Sequence, residues 1–157
     1  MKIQKETIIY PLPTEEYLLK KERVWRVKLP DTYRMFIKEY SGGVPKECRF
    51  VYKNHEYVIE RFLCVLSEYR DHRLGMYDIG VVITQIEDRL SDNPDLIGVE
   101  MVPIATLFAG DFVCLDFRNK KDHPSVCVWS HEESEVDSPV TYKVSDDFEG
   151  FCEMLIE

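Results

Sequence analysis

The chain has no long hydrophobic run, no closely spaced cysteine pair, no glycine-rich phosphate loop and no cluster of histidines. Each lack removes a class of function. No apolar stretch approaches the roughly 20 residues that span a bilayer, so no membrane-crossing segment is expected. Met1 to Glu6 offers neither an apolar h-region nor a small-residue cleavage site, so no signal peptide is expected and the chain reads as cytoplasmic. Cys48, Cys64, Cys114, Cys127 and Cys152 are odd in number and scattered, without a C-x-x-C pair. That excludes a disulfide framework or zinc ribbon and leaves reduced thiols, buried as small hydrophobes. His55, His72, His123 and His131 share no metal-ligand spacing. His131-Glu132-Glu133 reads as a solvated turn, and no metal or cofactor is expected. There is no nucleophile elbow. Asp111 and Asp116 are five residues apart in a strand-like run, which puts them on opposite faces and rules out paired acid/base work; Asp111 is expected to bond turn backbone. The basic run Lys20-Lys21-Glu22-Arg23 is interrupted by acid and belongs to a helix surface, so nucleic acid is not an expected partner. No enzyme is expected.

What is present suits one domain. In 157 residues, 45% are hydrophobic and 31% charged, enough apolar material for a core of its own. No repeat, low-complexity tract or linker divides residues 1–157, and the folded core is expected over about 14–157. The net charge of −9 is unevenly placed. From Ser130 onward nine acids face the single base Lys143, giving −8, whereas 20 acids and 19 bases before it give −1. This acidic final fifth repels nucleic acid and membrane surfaces and attracts basic partners.

Thr14 suits an N-cap, with Glu15 and Glu16 at the positive end of a helix running to about Arg26. Apolar residues at 29, 33, 36, 37 and 40 give the next helix one buried face, with Pro30 in its first turn. Gly42, Gly43 and Pro45 stop it. Arg49–Tyr52 and Tyr57–Leu66 read as a hairpin around the polar turn 53–56. Positions 76, 79, 83, 86 and 90 make a further amphipathic helix, ended at 91–95. Strands follow at 101–106, 112–117, 125–130 and 140–144, and Ser145 is the expected cap of a last helix with apolar positions 148, 151, 152 and 155. Consecutive strands with short links predict an α+β fold: a mainly antiparallel sheet of about five to six strands with helices packed on one face.

In this order the segments resemble the SMI1/KNR4-like (SUKH) superfamily. Leu29-Pro30-Asp31-Thr32-Tyr33-Arg34-Met35-Phe36, closing at Gly42-Gly43-Val44-Pro45, is similar to its "LP-x-x-[YF]-x-x-[FL]" segment and Gly-Gly turn. Pro103-Ile104-Ala105, Gly110-Asp111-Phe112-Val113-Cys114-Leu115-Asp116 and Val126-Cys127-Val128-Trp129-Ser130-His131-Glu132 resemble its three later strands. Ser145-Asp146-Asp147-Phe148-Glu149-Gly150-Phe151 resembles its closing helix. Phe108 and Ala109 depart from the pattern, standing where a more glycine-rich loop is common. Physically these motif residues read as structural: Leu29, Tyr33, Phe36 and Phe148 as core, Pro30 and Gly43 as geometry, with Gly42, Gly110, Asp111, Trp129 and Phe151 as further structural positions of the motif. The resemblance implies a non-catalytic protein-binding domain. Many of its bacterial members look like immunity proteins that neutralise toxins, often nucleases, and its fungal relatives are tied to cell-wall regulation. The expected partner is a basic cognate toxin, bound by a monomer or weak dimer at the acidic surface of Glu132, Glu133, Glu135 and Asp137. A cell-wall scaffold and a small-molecule-binding domain with a pocket on a concave face between sheet and helices are the alternatives.

Overall fold

The computed structural model describes residues 1–157. After a short strand β1 (Ile3–Gln4), Thr14 caps α1 (Glu15–Trp25) by accepting from the Tyr17 N–H at 3.1 Å. Helix α2 (Asp31–Tyr40) starts one residue later than Pro30, whose carbonyl accepts its first hydrogen bond from Arg34 N at 2.9 Å. The two helices are tied by charge. Glu22, almost fully buried, accepts from the Leu29 N–H at 2.7 Å and pairs with Arg34, which also reaches Glu15 at 3.1 Å.

Tyr40 to Gly43 form a tight turn closed by Gly43 N donating to Tyr40 O at 2.9 Å, with Gly42 at φ +72°. A Cβ at Gly42 would fall 2.5 Å from Ile9, and one at Gly43 2.4 Å from Ile3. The glycine pair therefore does more than stop a helix. It lets the N-terminal segment lie directly on the turn, where β1 pairs with β2 (Val44–Pro45). The sequence reading saw only an extended lead-in there, because two-residue strands carry no periodicity.

Six strands then form an antiparallel meander in strict chain order: β3 (Arg49–Tyr52), β4 (His55–Phe62), β5 (Met101–Leu107), β6 (Phe112–Asp116), β7 (Ser125–Trp129) and β8 (Thr141–Ser145). The β3–β4 turn is shorter than expected. Only Lys53 and Asn54 form it, both at positive φ, as a two-residue hairpin requires. Register shifts interrupt β4–β5 between Ile59 and Arg61, β5–β6 between Pro103 and Ala105, and β7–β8 between Val126 and Cys127. Nearly every residue of β5, β6 and β7 is buried, and neighbours along a strand point to opposite faces. Both faces of the central strands are thus withdrawn from solvent.

The helix expected over 76–90 is broken into α3 (Ile79–Ile86) between two 3-10 turns. Asp78 ends the first turn and caps α3, so Met76 is left exposed rather than on the buried stripe. The last helix, α4 (Phe148–Glu153), is capped by Asp147, accepting from Gly150 N at 2.7 Å, and not by Ser145, which ends β8 and donates to Asp147 O. Phe36 joins α2 to both α4 and the sheet, with ring centroids 5.4 Å from Phe148 and 4.8 Å from Phe62; Phe50 meets Phe151 edge-on at 5.2 Å. No helix is long and apolar enough to cross a membrane.

Two buried polar groups generate predictions. The Tyr33 hydroxyl is buried without a hydrogen-bond partner, its ring edge-on to Phe148 at 5.2 Å. Tyr33→Phe should leave stability unchanged or raise it by about 1 kcal/mol, whereas Phe36→Ala should cost about 3–5 kcal/mol, both read from urea denaturation. Asp78, 1% exposed, accepts from Leu66 N at 2.8 Å and Val81 N at 3.1 Å. Burial nonetheless pushes its carboxyl above the usual value of 3.8, against the pull of those donors and Lys21. A raised folded-state value means the stabilising contribution is full below that of the unfolded chain and lost as pH rises through the folded value. The stability difference between wild type and Asp78→Asn should therefore narrow as pH climbs from about 3.8, measured by denaturation midpoints across that range.

Candidate functional site

The acidic loop follows β7 directly. Ser130 N donates to Val140 O at 3.0 Å, Ser134 N to Ser130 O at 3.1 Å, and Glu135 and Ser138 exchange backbone bonds, folding 130–140 into nested turns. Ser134 is buried; Glu132, Glu133, Glu135 and Asp137 project into solvent around it. None of the four takes part in an ion pair, although all carry the same sign.

Arg89 holds this loop from beneath. Its guanidinium donates to the carbonyls of His131 and Ser134, the latter at 2.9 and 3.2 Å, and lies 4.9 Å from the centroid of the Trp129 ring. Trp129 returns the contact: its indole N–H donates to Arg89 O at 3.0 Å. On the other side Asp111 Oδ1 accepts from His131 N at 2.8 Å, bearing out the expectation that this carboxylate bonds turn backbone. Gly110, at φ +88°, turns the chain so that Asp111 reaches that N–H, with the His131 ring packed 3.5 Å from where a Cβ would stand. Asp116 serves elsewhere, nearly buried and chelated by Arg118 at 2.7 and 2.9 Å. The two aspartates share no site.

The structure divides three of the four predicted acids between two surfaces, and Glu135 lines neither. Glu132 and Glu133 line a groove of about 610 Å³, bounded by the β3–β4 hairpin, the β5–β6 turn and β8. Asp137 lines a separate depression of about 300 Å³ with Glu87, Asp88 and Glu100, and its N–H donates to Asp88 O at 2.8 Å. The groove is aromatic as well as acidic. Tyr52, Tyr57 and Tyr142 form its walls, Asp111 sits within it, and Phe108, 71% exposed, stands at the rim. Its field is visible in the phenols. A hydrogen bond to Glu133 raises Tyr142 above its ordinary value, while burial, Asp111 and Glu133 raise Tyr57. Ala109 beside Phe108 adopts φ 71°, a conformation glycine takes more cheaply, and the Phe108 ring is exposed.

Sequence reasoning missed the three tyrosines, Phe108 and the Glu87–Asp88–Glu100 acids. The tyrosines lie on strands far apart in the chain, and only sheet curvature gathers them. The acids lie in 87–100, where five acids face the single base Arg89, but that local excess disappears in the near-neutral total of the residues before Ser130. The motif residues Leu29, Tyr33, Phe36, Trp129, Phe148 and Phe151 are all buried.

Removing the anchor should loosen the loop without unfolding the sheet. In Arg89→Met, amide hydrogen exchange at Ser134, Glu135 and Ser138 should rise at least tenfold while amides of β6 keep their protection; in Asp111→Ala the rise should centre on His131.

The family model described as SMI1-KNR4 cell-wall matches residues 15–151 of this chain. No curated protein and no solved structure matches it.

Proposed function

The chain belongs to the SMI1-KNR4 cell-wall family, of SUKH type, and on that premise we propose that it is a non-catalytic protein-binding domain: an immunity protein that neutralises a basic, nuclease-type toxin through its acidic surface. It acts in the cytoplasm as a monomer or weak dimer. One observation carries this reading. Glu132, Glu133, Glu135 and Asp137 are all exposed and free of ion pairs, although the loop that bears them is tied down by Arg89, Trp129 and Asp111. A fixed loop of unneutralised carboxylates costs repulsion and serves a cationic partner, whose approach it accelerates and whose phosphate-binding face it would cover. Catalysis would ask for convergent acid and base groups, and the two strand-end aspartates are each committed to holding the backbone or Arg118 in place.

Co-expression with the product of an adjacent toxin-like gene tests the reading: protection and co-elution on a sizing column are expected, and failure of both rejects it. Replacing Glu132, Glu133, Glu135 and Asp137 together by lysine should slow association by at least about tenfold at low salt, with the difference shrinking as salt is added. An unchanged association rate would remove the electrostatic part.

A further inference from the structure

The geometry points to an arginine-binding site in the aromatic groove: it takes a guanidinium carried on an extended segment of the partner protein. This rests on the protein-binding reading above and names the chemistry of one contact within it.

The groove's lining carries four carboxylates, Glu56, Asp111, Glu132 and Glu133, against the single lysine Lys53, which lies over the Tyr52 ring at 5.4 Å. Their hydrogen-bonding capacity is only partly used. Glu56 faces Arg49 at 3.5 Å, Asp111 engages His131 N through Oδ1 alone, and Glu133 receives the Tyr142 hydroxyl on Oε2 alone. Glu132 has no partner within the chain, and the other oxygens of Glu133 and Asp111 are likewise free. Free acceptors therefore border a cleft whose walls are Tyr52, Tyr57 and Tyr142, with the His55 ring edge-on to Tyr57 at 4.3 Å.

A planar cation satisfies both features at once, since it stacks on an aromatic face while donating in parallel to a carboxylate. Lysine offers a hydrated point charge that does neither well. Anionic ligands and nucleic acid meet four like charges. The chain already builds this arrangement internally, where Arg89 lies over Trp129 and donates to two carbonyls. At about 610 Å³ the groove exceeds one side chain, and the exposed ring of Phe108 at its rim is placed to pack on the residue flanking the arginine.

The test uses the whole chain and three short capped peptides, Gly-Arg-Gly-Arg-Gly and its lysine and citrulline counterparts, followed by NMR titration. Saturable shifts at Phe108, Glu133 and Tyr142 with the arginine peptide, at least tenfold weaker binding of the other two, and loss of about tenfold in Tyr142→Ser and Phe108→Ser would support the assignment. Equal affinity for arginine and lysine peptides would overturn it, as would shifts centred on Glu87, Asp88 and Asp137. The peptide result does not depend on any toxin, so a failure to protect in co-expression would leave it standing. Conversely, a toxin complex of unchanged affinity in both variants would overturn the arginine site and leave the broader protein-binding reading intact.

Discussion

A six-stranded antiparallel meander ends in two edge strands, and in this chain side chains of both line one groove. Each of the three register shifts adds a residue to one strand of a pair and sharpens the local twist. The sheet coils until Tyr52 of the first edge strand and Tyr142 of the last line one groove. Everything proposed for binding depends on that coiling. A flat sheet of the same strands would hold these tyrosines at opposite margins, and the acidic loop would stand beside an ordinary surface. The same curvature lets the segment after α4 reach back to β3, where Ile156 and Arg49 exchange backbone hydrogen bonds at 2.7 and 3.0 Å.

The loop itself poses an electrostatic problem, and the solution is specific. Four carboxylates in six residues repel one another, and the usual remedy is a neighbouring cation. Arg89 is that neighbour, yet its donors go to backbone carbonyls of His131 and Ser134 and its face to Trp129. The carboxylates keep their charge while the backbone that carries them is fixed. Arginine suits this task because its planar fork makes several bonds in one plane and still stacks, which lysine does not do. Two motif residues with no evident chemistry, Asp111 and Trp129, thereby acquire a role: they help fix a loop most of whose acids, Glu133, Glu135 and Asp137, lie beyond the motif.

Much of the fold was legible in the sequence and less of the site. α1, α2 and the strands of the C-terminal half follow from apolar spacing and turn residues that local physics constrains strongly, as at Thr14, Gly42 and Asn54. The errors fall where two local signals compete. Asp78 and Asp147 outbid the expected cap or continuation because each carboxylate reaches a backbone N–H at short range. Met76 fits the helical stripe by number, but the chain turns at Asp78 before the helix begins. The acids of the 132–137 loop were visible as a charge asymmetry. The division of three of them between two surfaces, and the union of Tyr52, Tyr57 and Tyr142 with two of them, depend on long-range register, which no single segment encodes.

The strict chain order of the sheet also bears on how the groove comes into being. β5 to β8 are joined through residues 108–111, 117–124 and 130–140, short enough to close at modest entropic cost. β4 and β5 are separated by residues 63–100, which hold α3 and its flanking turns, so their pairing closes by far the longest loop of the sheet. Loop-closure entropy therefore makes the pairing of β4 with β5 the costliest closure within the sheet. The hairpin of β3 and β4 is one wall of the groove. The binding surface is completed only when the most distant pairing in the sheet is made, so a chain in which that pairing is open presents the acidic loop without the cleft beside it.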